Sequence, residues 1–214
     1  MKPLIDLIKV GPMAVNCYLV ACSETREAVL IDPAAPAPEI ASRLALQRLR
    51  VRWLINTHGH PDHTAGNDFW ADRTGAAVVM HAADWEFFST PEMQAAAQAE
   101  GFPPLTRVDR LVQDGDQLAF GQLTLTVFHT PGHTPGSICL YLPGHLFTGD
   151  TLFVESAGRT DLPGGSLERL IASLQKKILP LPDDTIIWPG HDYGSIPNST
   201  LGYEKENNPY LTDF

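Results

Sequence analysis

Three histidines and an aspartate fall within six consecutive residues, His58-Gly59-His60-Pro61-Asp62-His63, directly after the short apolar segment Trp53–Asn56. Imidazole and carboxylate are the usual nitrogen and oxygen ligands of zinc, iron and manganese. Alternate residues of a regular strand point to opposite faces. His58 and His60 therefore cannot address one ion from a strand. The segment has to be a loop, and Gly59 and Pro61 supply the irregularity. Asp62 and His63 then fall at the start of a following helix, where they can face a second ion. A polar loop that merely happens to hold histidines is a poor account of this density.

The same grammar recurs at three other places. His133 lies in Thr130-Pro131-Gly132-His133-Thr134-Pro135-Gly136, after the apolar run that ends at Phe128. The Pro-Gly pairs make that loop rigid. Asp150 follows Leu146-Phe147-Thr148-Gly149, and His191 follows Ile186-Ile187-Trp188-Pro189-Gly190. Each time an apolar strand ends in Gly or Pro and delivers a ligand-type residue. His81, His129 and His145 lack that combination and read as ordinary polar residues, with His129 a candidate support behind the ligands.

Short apolar segments at Leu4–Val10, Cys17–Cys22, Ala28–Ile31, Trp53–Asn56 and Ala77–Met80 predict one group of strands. Helices are expected over Pro38–Arg50 and Thr64–Arg73, and over Ala82–Glu100 in two pieces broken at Pro91. A second group of strands follows. Asp116–Phe120 and Leu123–Phe128 make a hairpin turning at Gly121-Gln122. Ser137–Leu142 and His145–Thr148 make another, turning at Pro143-Gly144. The helix Ser166–Lys177 and the strand Thr185–Trp188 complete the set. Strands in two groups, each followed by helices, favour an α/β sandwich of two mixed sheets with helices outside over one doubly wound sheet. The expectation is a single domain over 1–214, with a short polar tail over 192–214.

Charge and cysteine content narrow the function. Lys and Arg total 15 against 25 Asp and Glu, a formal net charge of −10. That balance opposes a role in coating phosphate backbones, so no nucleic-acid partner is expected. No apolar run approaches the ~20 residues of a membrane span. The N-terminal stretch reads as a strand rather than a signal peptide. Cys17, Cys22 and Cys139 are odd in number and contain no CxxC pair. They read as small buried residues in a reducing, cytoplasmic setting.

His58-x-His60-x-Asp62-His63, followed by His133, Asp150 and His191, resembles the metallo-β-lactamase superfamily. Asp32 in Leu30-Ile31-Asp32-Pro33 matches that family's first motif, so the resemblance spans nearly the whole chain. It implies an αββα sandwich with metals at one edge of the two sheets. Within the superfamily the chain is most similar to the glyoxalase II group of thioester hydrolases. The segments Thr130–Ser137 and Gly158–Gly165 are typical of its single-domain bacterial members. Carried over position by position, His58, His60 and His133 would bind one divalent ion and Asp62, His63 and His191 a second, with Asp150 bridging. Zinc is the first expectation, iron and manganese the alternatives. Asp32 would sit behind the ligands. A metal lowers the pKa of bound water to roughly 7, and the hydroxide so formed would attack a thioester carbonyl, with Asp62 able to hold it.

The resemblance implies a small-molecule thioester as the partner, a glutathione conjugate such as S-lactoylglutathione among the candidates. Phe153, Arg159, Tyr193 and Lys205 are candidate substrate contacts. An Arg159–Asp161 pair that pins its own loop is the competing reading for Arg159, and Ala82–Arg107 is a candidate lid. Only 23 residues follow His191, too few for the helical glutathione-binding region of two-domain glyoxalase II enzymes. Persulfide dioxygenases are also similar, in Gly158-Arg159-Thr160-Asp161 and in Pro189-Gly190-His191-Asp192-Tyr193-Gly194. They imply the alternative of one iron on His58, His133 and Asp150. A metal-binding scaffold without catalysis is the remaining reading.

Overall fold

The computed structural model describes residues 2–214. β1 (Leu4–Val10), β2 (Val15–Ala21) and β3 (Glu27–Ile31) form an antiparallel meander. β4 (Arg50–Ile55), β5 (Ala77–His81) and β6 (Arg110–Val112) continue that sheet in parallel. Parallel neighbours need crossovers. Here they are α1 (Pro38–Leu46), then α2 (Pro61–Thr64) with α3 (Asn67–Thr74), then α4 (Ala82–Phe88) with α5 (Pro91–Ala99). In the second sheet β7 (Gln117–Phe120), β8 (Leu123–His129), β9 (Ile138–Leu142) and β10 (His145–Gly149) run antiparallel. After the small ribbon β11 (Leu152–Phe153) and β12 (Ser156–Ala157) and helix α6 (Leu167–Ser173), β13 (Ile186–Pro189) joins β10 in parallel. β14 (Ser199–Thr200) closes that edge, and α7 (Leu201–Asn207) and α8 (Pro209–Thr212) end the chain.

The period-two alternation of the strands sorts their side chains into layers. Tyr18, Val20, Ile31, Ile55 and Val79 of the first sheet meet Leu118, Phe120, Leu125, Val127, Leu140 and Phe147 of the second. On the far side of the first sheet, Cys17, Leu19, Leu30, Leu54 and Val78 lie under Ile40 of α1 and Trp70 of α3. The outer face of the second sheet covers Cys139, Leu146 and Ile187 with Leu170, Leu174 and Leu201. This is the expected αββα sandwich. All three cysteines are buried, and no helix among the described residues is long and apolar enough to cross a membrane.

The boundaries differ from expectation where backbone geometry intervenes. The helix expected to reach Arg50 stops at Leu46, because Arg48 adopts a φ of +52° and the Leu49 N–H closes onto the Leu44 carbonyl. Arg50 is thereby freed to open β4. The helix expected over Thr64–Arg73 is two helices parted at Gly66, where a Cβ would lie 2.0 Å from the Pro33 carbonyl oxygen. The helix begun at Ser166 carries on through a π-helical turn, Leu174–Ile178. The polar tail is ordered: β14, α7 and α8 dock through Leu201, Glu204 and Asn208, all fully buried. Glu204 accepts hydrogen bonds from the Ser199 hydroxyl, the Glu155 N–H and the Asn208 amide. Burial carried by polar groups leaves no apolar period to read.

Candidate metal centre

Every strand end that the sequence marks arrives at one edge of the sandwich. The chain leaves β4 at Asn56, and His58 to His60 form the loop into α2. Pro61 opens α2, a position that needs no N–H, and sets Asp62 and His63 in its only turn. His133 comes from the β8–β9 loop, Asp150 from the end of β10 and His191 from the end of β13. Donor atoms of His58, His60 and His133 lie within 4.8 Å of one another, as do those of Asp62, His63 and His191. Asp150 stands between the two groups. Its Oδ1 is 3.5 Å from His63 Nε2, and its Oδ2 is 3.6 Å from both His133 Nε2 and His191 Nε2.

Hydrogen bonds behind the cluster decide which ring nitrogen faces inward. His133 Nδ1 is 2.7 Å from the Arg159 carbonyl oxygen, and His63 Nδ1 is 3.0 Å from Asp32 Oδ2. A carbonyl and a carboxylate only accept, so both rings carry their proton on Nδ1 and turn the Nε2 lone pair into the site. Thr57 spends its hydroxyl proton on Asp32 Oδ2 at 2.7 Å, and its oxygen then accepts from His58 Nδ1 at 3.1 Å. Asp32, itself buried and at a φ of +49°, thus orients one histidine of each group. It also accepts the Thr57 N–H at 2.7 Å.

The inward nitrogens then confront one another: His60 Nδ1 is 2.9 Å from His133 Nε2, and His63 Nε2 is 3.2 Å from His191 Nε2. His58 Nε2 and Asp150 Oδ1 are buried without a hydrogen-bond partner. Ring nitrogens and carboxylate oxygens converging at such distances suit divalent cations, and the nitrogen and oxygen set suits zinc, iron or manganese.

Electrostatics agree. Burial, then the neighbouring imidazoles, hold His58 well below the usual histidine value. Burial and His133 push His60 down to about 3. Burial opposes ionisation of Asp62, yet its bond with His191 and the charge of His63 hold it below the usual carboxylate range. Burial likewise opposes charge on His63, but Asp150, Asp32 and Asp62 raise it to about 10. A proton therefore competes with a cation at His63, and cation binding releases it.

A residue without any sequence signal ties the ligand loops together. Asp84 of α4 is fully buried. It accepts the Gly59 N–H at 2.7 Å, between His58 and His60, and on the other side the Thr134 hydroxyl at 2.7 Å and the Gly136 N–H at 2.5 Å, which flank His133. Burial raises its pKa from 3.8 to about 6 against those hydrogen bonds. The native state then holds a proton that the unfolded chain has released, so this contribution to stability declines as pH rises from about 4 to about 6. Urea unfolding of the metal-free protein at pH 4.5 and 6.5 should show wild type losing about 2 kcal/mol relative to Asp84→Asn. A difference that does not change with pH would contradict this.

Close approach makes one glycine indispensable. A Cβ on Gly190 would lie 2.3 Å from Asp150 Oδ1 and 3.1 Å from His63 Cε1. Gly190→Ala must displace the central carboxylate, and chelator competition should show metal affinity about 10–100-fold weaker. Unchanged affinity would mean that Asp150 has room to move.

A cleft of about 430 Å³ opens over the donors and reaches α5 and the segment behind it. Arg159 and Tyr193 line it. Tyr193 stacks on His191 at 4.9 Å and 9°, while the Arg159 guanidinium forks onto Asp161 at 2.7 and 2.8 Å. The Arg159 contribution nearest the donors is its main-chain oxygen. Phe153 does not line the cleft; it is buried edge-on to His191 and Tyr193. Lys205 does not reach it either, its ammonium being held by Asp183 at 2.5 Å. His81 caps α4, His129 meets the Pro135 carbonyl oxygen behind the His133 loop, and His145 accepts from Trp188.

The profile of the Metallo-beta-lactamase superfamily matches residues 10–191. A hydroxyacylglutathione hydrolase, GloC, of Haemophilus influenzae is 36% identical over 221 residues, covering 97% of each chain. The mitochondrial persulfide dioxygenase of Homo sapiens is 36% identical over 199 residues, covering 91% of this chain and 70% of that protein. Among solved structures, BLEG-1 B3 metallo-beta-lactamase superposes with a TM-score of 0.87 at 35% identity, covering 98% of this chain and all of its own (100%).

Proposed function

This chain belongs to the metallo-beta-lactamase superfamily, and from that premise we propose that it is a metal-dependent hydrolase that cleaves a small acyl thioester in the manner of glyoxalase II. In this reading His58, His60 and His133 hold one divalent ion, Asp62, His63 and His191 hold a second, and Asp150 faces both. Ions bound there supply Lewis-acid polarisation of a carbonyl and bring the pKa of a coordinated water down to roughly 7. The protein's part is orientation. Asp32 and the Arg159 carbonyl fix ring tautomers, Asp84 locks the two ligand loops, and Asp62, at the cleft surface, can hold the attacking water by accepting a hydrogen bond from it. No cysteine is among the described residues lining the cleft, so no thiol nucleophile stands there, and burial pushes the Cys139 thiol up to about 11.

The observation that carries this reading is the second group of donors. One iron needs only His58, His133 and Asp150, and Asp62, His63 and His191 converge beyond that requirement. The persulfide dioxygenase reading keeps its footing through the human relative. Elemental analysis with an anaerobic assay separates the two. Two ions per chain, with free thiol released from S-lactoylglutathione or another acyl thioester without oxygen, is the expected result. One iron per chain, with oxygen consumed on adding glutathione persulfide, would replace it by the dioxygenase. Bound metal with neither reaction would leave a scaffold.

A further inference from the structure

The cleft beside the donors is built for hydrocarbon. Met93, Ala96 and Ala97 line it from α5 at positions i, i+3 and i+4, one stripe of the helix. That helix buries no residue in any core, so its apolar stripe has no partner except the cleft. Phe88, Phe102 and Leu105 extend the apolar lining. The lining is preformed: Gln94 donates to the Phe88 and Leu105 carbonyls at 2.8 and 3.1 Å and accepts the Leu105 N–H at 2.9 Å. Phe88 is buried and meets His60 edge-on at 5.2 Å, which joins the apolar wing to the donors.

Charge points the same way. Among the described residues lining the cleft, Arg159 is the one Lys or Arg, and Asp161 already occupies its fork. Glu100 lines it as well. A peptide-like carrier with free carboxylates finds no unengaged side-chain cation along this wing and meets like charge at Glu100.

We infer that the substrate carries an uncharged hydrocarbon arm, a chain or ring of several carbons, that lies along α5 while its carbonyl sits at the donors. The inference rests on the hydrolase reading above and specifies its substrate class. Each methylene moved from water into such a wing raises kcat/KM about fourfold. The wing stops rewarding length once it is full.

The test uses the two-metal protein and three substrate arms. One arm is the acetyl, butanoyl, hexanoyl and octanoyl thioesters of N-acetylcysteamine. The second is acetyl thioesters of ethanethiol, butanethiol and hexanethiol. The third is S-lactoylglutathione. The expected result is a rise of about two orders of magnitude over four methylenes in the first or the second arm, which tells whether the chain is the acyl or the thiol part. S-lactoylglutathione should fall below the best apolar substrate. Flat or falling values in both series, or a preference for S-lactoylglutathione, would overturn the inference while hydrolysis itself stands. Failure of every thioester with two ions bound would overturn the hydrolase reading, and the inference with it. Ala97→Lys and Met93→Glu place a charge on the stripe without touching a core. Both should flatten the chain-length dependence, and a slope unchanged in both would place the arm elsewhere.

Discussion

Asp150→Ala is expected to strip both ions and lower kcat/KM about a thousandfold while leaving the fold in place. The carboxylate stands between His63, His133 and His191 at 3.5–3.6 Å, so its loss removes negative charge from both donor groups at once. Lewis-acid stabilisation amounts to several kcal/mol, and each ~1.4 kcal/mol is a factor of ten in rate. The fold survives because Asp150 Oδ1 has no hydrogen-bond partner within the protein. A buried group is costly to remove when it strands a partner, and this oxygen strands none. Elemental analysis beside a thermal melt checks both halves. Two ions retained per chain would show that Asp150 does not serve both groups.

That economy was legible in the sequence for the donors and illegible for their supports, and the reason is physical. A ligand must be a His or an acid at a strand end, so His133, Asp150 and His191 announce themselves through the Gly and Pro that precede them, and His58 through the Gly59 and Pro61 that follow it. A support can be any group that accepts a hydrogen bond. The Arg159 carbonyl that orients His133 belongs to the main chain, and no side-chain pattern encodes it. Asp84 sits 25 residues from Gly59 and 52 from Gly136, and only the fold brings it between them. The stripe Met93, Ala96 and Ala97 has the spacing of a core helix, and it is topology that turns it toward the cleft instead. Lys205 shows the converse. Its charge suits a substrate contact, but Asp183 is closer.

Asp32 offers the sharper test of how the supports act, since two substitutions at one position should fail in different ways. Asp32→Ala leaves the Thr57 N–H, the Thr57 hydroxyl and His63 Nδ1 without their acceptor in a fully buried place. Stranded buried donors cost about 1–3 kcal/mol each. The net loss should be about 3–5 kcal/mol, or a fall in Tm of roughly 6–20 °C for a chain of this size. Asp32→Asn keeps the volume and, through its amide oxygen, the bond to the Thr57 N–H. Its amide nitrogen then faces His63 Nδ1, and two N–H groups cannot point at each other. His63 has to accept there, which moves its proton to Nε2 and blocks the donor that faces His191 at 3.2 Å. A wrong tautomer with intact geometry is a known route to large losses of activity. The variant should melt within a few degrees of wild type and hold about one ion per chain in place of two. Two ions bound to Asp32→Asn with wild-type affinity would show that the carboxylate shapes the fold only, and that the orientation of His63 is set by the metal itself.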